Sequence, residues 1–162
     1  MMIKALYPGS FDPVTRGHVD IIERVSKSFG HLYIGIIENA SKDAMFSIEE
    51  RLILMEEATA HLRNVSVISF SGLTVKYAEE IKASALIRGL RAISDFEYEL
   101  QLASTNRRIN PEIETLFLMA STKYSYVSSS LVKELSLYDS DISFYVPACV
   151  EKALADKKME GK

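Results

Sequence analysis

The chain has 162 residues, of which 48% are hydrophobic and 25% are charged, and its formal net charge is -3. This length predicts one globular domain over residues 1–162, because two separate cores would be too small. The acidic balance argues against nucleic acid as a partner, since a general grip on its backbone needs a clustered basic surface. Cys149 is the only cysteine, which excludes an intramolecular disulfide and a Cys-based zinc site.

The N-terminal apolar run reaches Pro8 and Gly9 too soon for a secretory signal sequence, and no later run approaches membrane-spanning length. We therefore expect a soluble, cytoplasmic protein without a membrane partner. The charged segment 156–162 is expected to be a frayed tail.

Five short apolar runs typical of β-strands alternate with longer segments of helical period. The strands are predicted at 3–7, 32–37, 65–70, 85–87 and 115–120. The first helix is expected to begin near Thr15. Its buried stripe has the spacing of one helical face: His18, Ile22, Val25 and Phe29.

Capping boxes predict the starts of two more helices, because a serine that is followed by glutamate three residues later satisfies free N–H groups. These pairs are Ser47 with Glu50 and Ser94 with Glu97. In the helix that follows Ser94, the apolar residues Phe96, Leu100 and Ala103 are core candidates.

Three other helices are predicted from weaker signals. A short one covers 74–82, and another follows the serine cluster 128–130 and continues through Leu137. Pro147 suits the first turn of a final helix.

Apolar strands that are each followed by a helix are typical of a parallel sheet joined by right-handed crossovers. The predicted fold class is therefore α/β: a single-domain, Rossmann-like, doubly wound five-stranded parallel sheet with helices on both faces. Ligands of such sheets bind beyond the carboxyl ends of the strands. The unusual polar segments follow the predicted strands in order: 9–12 with His18, 39–42, 71–74, 88–91 and 121–130.

Three cations in these loops, Lys42, Arg88 and Arg91, converge on one rim if the sheet is wound as predicted. Guanidinium groups bind phosphate oxygens in a bidentate way, and helix N-termini near Thr15 and Ser129 would add backbone N–H donors. The pattern indicates a site for a polyanion, most simply a phosphorylated ligand.

Each of these residues also has a plainer interpretation. His18 could be a satisfied core histidine, the arginines could be solvated, and the serines 128–130 could serve only as a helix cap. The context favours a site for His18, because Gly17 lets a ligand approach and a helix N-terminus favours the neutral imidazole. For Glu99 the sequence leaves a solvent-facing role and a ligand role open.

Several familiar motifs are missing from the sequence. It contains no P-loop, no G-x-G-x-x-G fingerprint and no G-x-S-x-G nucleophile elbow. Its His, Asp and Glu residues show no metal-ligand spacing, so any divalent cation is expected to arrive with the phosphates of a nucleotide.

The Thr15-Arg16-Gly17-His18 turn and the serine motif resemble the [TH]-x-G-H signature of the nucleotidylyltransferase superfamily. Longer collinear segments are more specific: YPGSFDPVTRGH at 7–18, Ser41-Lys42, MFSIEER at 45–51, IRGLRAISDFEYELQLA at 87–103 and YSYVSSSLVKE at 124–134. Together they resemble bacterial phosphopantetheine adenylyltransferases from Ala5 to about the last helix.

The resemblance implies a transfer of the adenylyl group of ATP to 4'-phosphopantetheine. The products would be dephospho-coenzyme A (dephospho-CoA) and pyrophosphate, in the penultimate step of coenzyme A (CoA) biosynthesis. It also implies Mg2+ as cofactor, no covalent intermediate, a homohexamer and inhibition by CoA.

The resemblance assigns roles to individual residues. Three would be catalytic: His18, which donates to the α-phosphate in the transition state, Lys42 and Arg91. Four would bind the acceptor: Ser10, Lys42, Thr74 and Arg88. The implied ATP-binding residues are Ser10, Phe11, His18, Gly89, Leu90, Arg91, Glu99, Tyr124, Ser125, Tyr126, Val127, Ser128, Ser129 and Ser130.

Two departures from the family pattern concern the acceptor side. Asp43-Ala44 stands where Lys-Pro is frequent, which removes one positive charge, and Thr74 replaces a frequent aliphatic residue. One alternative is a sister enzyme that acts on nicotinamide mononucleotide or a polyol phosphate, which should lack the RGLRAISDFEYE block. Another is a nucleotide-binding sensor without chemistry, which could dispense with His18.

Overall fold

Strands and helices alternate along the chain in the order that the sequence predicts. A computed structural model describes residues 3–38, 44–91 and 93–160. Its elements are β1 (Lys4–Gly9), α1 (Arg16–Ser26), β2 (His31–Ile37), α2 (Ile48–Thr59), β3 (Val65–Phe70), α3 (Thr74–Glu80), β4 (Ala85–Leu90), α4 (Ile93–Ile109), β5 (Glu114–Met119), a 3-10 turn (Thr122–Tyr124), α5 (Ser129–Leu137) and α6 (Ala148–Glu160). No helix within these ranges combines the length and apolar character needed to cross a membrane.

The five strands form one sheet in the order β3-β2-β1-β4-β5, and every neighbouring pair is parallel. The chain therefore winds outward from β1 in one direction and then from β4 in the other. The predicted doubly wound, five-stranded parallel sheet is confirmed. The reversal between β1 and β4 opens a crevice at the carboxyl ends of these two strands.

The core divides between the two faces of the sheet, because successive strand residues point to opposite sides. On one face, Ala5 and Tyr7 of β1 belong to a large buried cluster to which α1, α2, α5 and α6 contribute. On the other face, Leu6 packs with Val75 and Ala78 of α3 in a smaller cluster. The first face carries most of the buried apolar side chains.

The prediction that Phe96 and Leu100 are core residues is wrong for the single chain, since these side chains are 39% and 46% exposed. Phe96 makes an edge-on contact with Phe117 of β5, at a centroid distance of 5.7 Å. The reason is that α4 lies over the sparsely covered face near the edge strand β5, and the described part of the chain does not cover these two side chains.

The helix-start signals are mostly confirmed. Thr15 and Ser47 form the capping boxes of α1 and α2 with His18 and Glu50. Ser94, however, lies inside α4, which begins at Ile93, so it is not the N-cap. A serine in the first turn of a helix and a serine at its N-cap give the same pattern in the sequence.

The C-terminal segment differs from the expected frayed tail as far as it is described, because α6 continues to Glu160. Lys157 pairs with Glu50 of α2 at 2.8 Å, and Lys158 pairs with Asp139. These ion pairs attach the last turns of α6 to neighbouring elements.

Candidate active site

A cleft of about 500 Å³ opens at the carboxyl ends of β1 and β4. It brings together residues from several loops and from α1, α2 and α5, although they are far apart in sequence. The predicted site residues that line it are Ser10, Phe11, His18, Arg88, Gly89, Arg91, Ser128, Ser129 and Ser130.

The loop after β1 folds around Phe11, whose φ is 47° and whose side chain is buried. A Cβ at Gly9 would lie 2.9 Å from the Phe11 ring, so only glycine fits there. The ring makes edge-on contacts with Tyr7 and His18, at centroid distances of 5.3 and 5.0 Å. Phe11 therefore supports the floor of the cleft beneath His18.

The capping box fixes the orientation and the tautomer of His18. The backbone N–H of Thr15 donates to Nδ1 of His18 at 3.0 Å, and the backbone N–H of His18 donates to Thr15 Oγ1 at 3.3 Å. Because Nδ1 is the acceptor, the proton of the neutral imidazole is on Nε2. The side chain that lines the cleft is therefore a hydrogen-bond donor at its free nitrogen.

Desolvation of the imidazole, assisted by the nearby positive charge of Arg91, lowers the pKa of His18 from 6.5 to about 4. His18 is thus neutral at neutral pH, which agrees with the interpretation of a helix-start histidine as a donor. Protonation of its Nδ1 would also cost the hydrogen bond from Thr15.

Arg88 is held by a bidentate ion pair. Its Nε and Nη2 donate to the two carboxylate oxygens of Glu99, each at 2.5 Å, and its Nη1 donates to the carbonyl of Pro8 at 3.3 Å. The Glu99 side chain is only 12% exposed. Glu99 therefore does not face solvent, which was one of its two open roles, but faces the protein and orients a cleft arginine; its ligand role stays a prediction.

Arg91 stands closer to solvent, with a side chain that is 46% exposed. Its backbone N–H and its Nε donate to Asp95 at the start of α4, at 3.4 and 3.2 Å. Both predicted arginines therefore reach the cleft, but Arg88 is the more rigidly held.

The three serines before α5 have different surroundings. Ser128 is the N-cap and accepts from the N–H of Leu131 at 3.1 Å, while the Ser129 hydroxyl donates to the carbonyl of Pro13 at 2.7 Å. Ser130 is exposed at the cleft. One serine thus serves as the cap, one ties α5 to the loop after β1, and the third faces the ligand space.

A smaller cavity of about 60 Å³ lies behind His18 and Arg91 and is also lined by Gly17, Tyr124 and Val127. It connects the predicted Tyr124 region to the histidine.

The other predicted residues that the structure describes line neither cavity. Tyr126 is 88% exposed, Leu90 is buried, Ser125 donates to the carbonyl of Thr122 at 2.8 Å, and Thr74 begins α3. Lys42 lies outside the described residues.

Sequence reasoning missed three charged residues that line the cleft: Asp12, Arg51 and Lys133. Asp12 accepts from the backbone N–H groups of Met45 and Phe46, at 3.0 and 2.9 Å, and from Lys133 at 3.0 Å. Burial alone would raise the pKa of Asp12, but these three donors hold it below its ordinary value. The segments MFSIEER and YSYVSSSLVKE contain two of the residues, yet no local pattern shows that they are buried.

No cluster of three or more His, Cys, Asp or Glu side chains in the described ranges is arranged to hold a metal ion. The cleft carboxylate of Asp12 is already engaged by three donors.

Two glycines of the site predict opposite effects of an added methyl group. An alanine at position 17 would place its Cβ 3.6 Å from Thr15 Oγ1 and from Tyr124 Cβ, which is ordinary contact. An alanine at position 89 would place its Cβ 2.6 Å from Ile21 Cδ1 and 2.9 Å from the Tyr7 hydroxyl. We expect Gly17→Ala to keep or raise stability while its methyl group fills part of the small cavity. Gly89→Ala should cost about 1–3 kcal/mol of unfolding free energy.

Urea denaturation of the two variants tests this contrast. An equal loss of stability in both would show that the packing around Gly17 is tighter than the distances indicate.

The low pKa of His18 predicts its behaviour with pH. A histidine whose pKa is lower in the folded protein than in the unfolded chain gives its full stability contribution above about pH 6.5 and loses it as the pH falls toward 4. NMR titration of the imidazole should show a midpoint near 4, and turnover should show no loss due to His18 between pH 8 and pH 6. A midpoint near 6.5 would contradict the desolvated setting.

Comparisons with known proteins agree with this geometry. A family model described as Cytidylyltransferase-like matches residues 6–135. A structure from Vibrio parahaemolyticus, named for a proposed nicotinate-nucleotide adenylyltransferase activity, superposes with a TM-score of 0.74 at 18% identity, over 97% of this chain and 94% of the other. A lipopolysaccharide core biosynthesis protein from Thermoplasma volcanium GSS1 gives a TM-score of 0.54 at 22% identity, over 75% and 98%. At these identities the two structures show the fold alone.

Proposed function

Because the chain belongs to the cytidylyltransferase-like family of nucleotidyltransferases, we propose that it transfers the adenylyl group of ATP to 4'-phosphopantetheine. The products are dephospho-CoA and pyrophosphate, which makes the protein a pantetheine-phosphate adenylyltransferase. The observation that carries this proposal is the neutral donor His18, in one cleft with Arg88, Arg91 and the N-terminus of α5.

The proposed chemistry is a direct in-line displacement. An oxygen of the acceptor phosphate attacks the α-phosphorus of ATP, and the bridging oxygen between the α- and β-phosphates leaves with pyrophosphate. Negative charge grows on the non-bridging α-oxygens and on the leaving group during this step. The His18 Nε2–H stabilises the α-oxygens because it is already oriented before the reaction.

The other cleft groups position the two anionic substrates. Arg88 binds the acceptor phosphate with a guanidinium that Glu99 keeps in place. Arg91 and the N–H groups at the start of α5 bind the ATP phosphates, and Ser130 adds a hydroxyl at the same point. Lys42 is proposed to contact both reacting phosphates from the loop after β2. Mg2+ is proposed to enter with the ATP phosphates, and its chemistry is to neutralise their charge.

The strongest competing acceptor is a nicotinate or nicotinamide mononucleotide, given the name of the Vibrio parahaemolyticus structure. The segment RGLRAISDFEYE argues against this acceptor, because it contains both Arg88 and its partner Glu99. Both partners of the bidentate ion pair lie in this block. The block that resembles phosphopantetheine enzymes therefore has a structural role at the cleft.

A pyrophosphate-release assay with product identification by mass tests the proposal. Purified protein is given ATP or CTP with Mg2+, and with 4'-phosphopantetheine, nicotinate mononucleotide or no acceptor. We expect release only with ATP and phosphopantetheine together, with dephospho-CoA as product and with inhibition by added CoA. Product from the nicotinate nucleotide alone would assign the sister activity, and ATP binding without any product would favour the sensor.

We also propose that the chain assembles as a homohexamer through the exposed apolar surface of α4 and β5. On the face of the sheet where Phe96 meets Phe117, Phe96 and Leu100 of α4 and Met119 of β5 are 39%, 46% and 54% exposed. Exposed apolar side chains on neighbouring elements are typical of an interaction surface. Leu100→Glu is expected to lower the oligomer mass measured by sedimentation velocity, whereas Leu137→Glu on exposed α5 should not. A wild-type monomer at micromolar concentration would contradict the assembly.

A further inference from the structure

Arg51 is a charged residue in the first turn of α2 that is only 7% exposed. Its Nε donates to the carbonyl of Ser47 at 3.3 Å, and its Nη1 donates to the carbonyl of Ser10 at 2.9 Å. It lines the main cleft on the side of α2, in company with Ser10 and Ala44. A positive charge that is buried beside a ligand cleft needs an anion to compensate it.

The other described cations of the cleft all have carboxylate partners. Arg88 pairs with Glu99, Arg91 with Asp95, and Lys133 with Asp12. Arg51 has no ion-pair partner within the described ranges, and its guanidinium donates to two carbonyl oxygens. Its charge is therefore the least compensated one among these four cleft cations, although it is also highly buried.

A structural brace explains only part of this arrangement. The two carbonyl contacts use two of the five N–H donors of the guanidinium, and a neutral glutamine could donate to a carbonyl equally well. A desolvated positive charge is costly unless an anion compensates it. Because the residue reaches the cleft, the missing anion can come from the ligand.

We propose that Arg51 binds a phosphate group of the ligand, from the side of the cleft opposite Arg88 and Arg91. The inference rests on the proposed binding of phosphorylated substrates but not on the identity of the acceptor. Arg51 also fixes the Ser10 turn through the carbonyl contact, so it links the position of that turn to phosphate binding.

Calorimetric titration with ATP and with inorganic pyrophosphate tests this role in Arg51→Lys, Arg51→Gln and the control Arg63→Gln, which changes an exposed arginine. We expect Arg51→Gln to weaken both ligands by about 10- to 100-fold and Arg51→Lys by less, because lysine retains the charge. The salt dependence of binding should become shallower in Arg51→Gln alone. Equal losses in the Lys and Gln variants, or wild-type affinity in Arg51→Gln, would overturn the proposal.

If Arg51→Gln does not fold, protection of the wild-type protein from phenylglyoxal gives the answer by mass mapping. Pyrophosphate should protect Arg51 while Arg63 stays reactive. An Arg51 that is unreactive without ligand, or equally reactive with it, would overturn the inference. Pyrophosphate binding that depends on Arg51, in a protein that does not convert phosphopantetheine, would overturn only the proposed acceptor.

Discussion

Replacement of His18 by alanine is expected to lower turnover by roughly 10²- to 10³-fold, while the affinity for ATP changes little. The reason is that the Nε2–H donor acts mainly on charge that develops in the transition state, so its loss appears in kcat rather than in ground-state binding. Steady-state kinetics and ATP titration of the same preparation measure the two quantities.

His18 also belongs to the capping box of α1, so the alanine variant should lose about 1 kcal/mol of stability as well. His18→Gln separates the two roles, because glutamine at this position can accept from the Thr15 N–H. We expect it to restore the melting temperature but not the turnover. His61→Ala, which changes an exposed histidine paired with Glu23, is the matched control. Full activity in His18→Ala would remove His18 from the mechanism.

Replacement of Arg88 by alanine is expected to have the second large effect, because it removes a phosphate contact and leaves Glu99 unpaired. The value of kcat/KM for the acceptor should fall by about 10²-fold or more. The unfolding free energy should fall by about 1–3 kcal/mol, because the remaining carboxylate is mostly buried.

The double variant Arg88→Ala/Glu99→Gln distinguishes these two losses. A neutral amide in place of the orphaned carboxylate should recover stability in urea denaturation, but it should not recover acceptor turnover. The single variant Glu99→Gln should retain part of the activity, with a raised KM for the acceptor, because Arg88 would be less firmly oriented. Recovery of activity in the double variant would show that Arg88 serves only to neutralise Glu99.

The strand and helix pattern was readable from the sequence because it is encoded locally. Apolar runs predicted all five strands, Ser47 is the predicted cap of α2, and α1 begins beside Thr15 as expected. The parallel, doubly wound order follows from that alternation. The strand order in turn placed the polar loops at one edge of the sheet. His18, Arg88, Arg91 and the serine cluster could therefore be predicted to lie together, and they line the same cleft.

The tertiary structure alone decided which charges are buried and which residues are partners. Arg51 and Lys133 have ordinary helical sequence contexts, and only the packing of α2 and α5 beside the loop after β1 brings them to the cleft. Glu99 meets Arg88 because α4 crosses back over β4, which spacing along the chain does not reveal. Phe96 and Leu100 have the pattern of a buried face but stay exposed, because the described part of the chain leaves this side of α4 uncovered. Burial depends on what packs against a helix, and a sequence pattern records only which residues share its face.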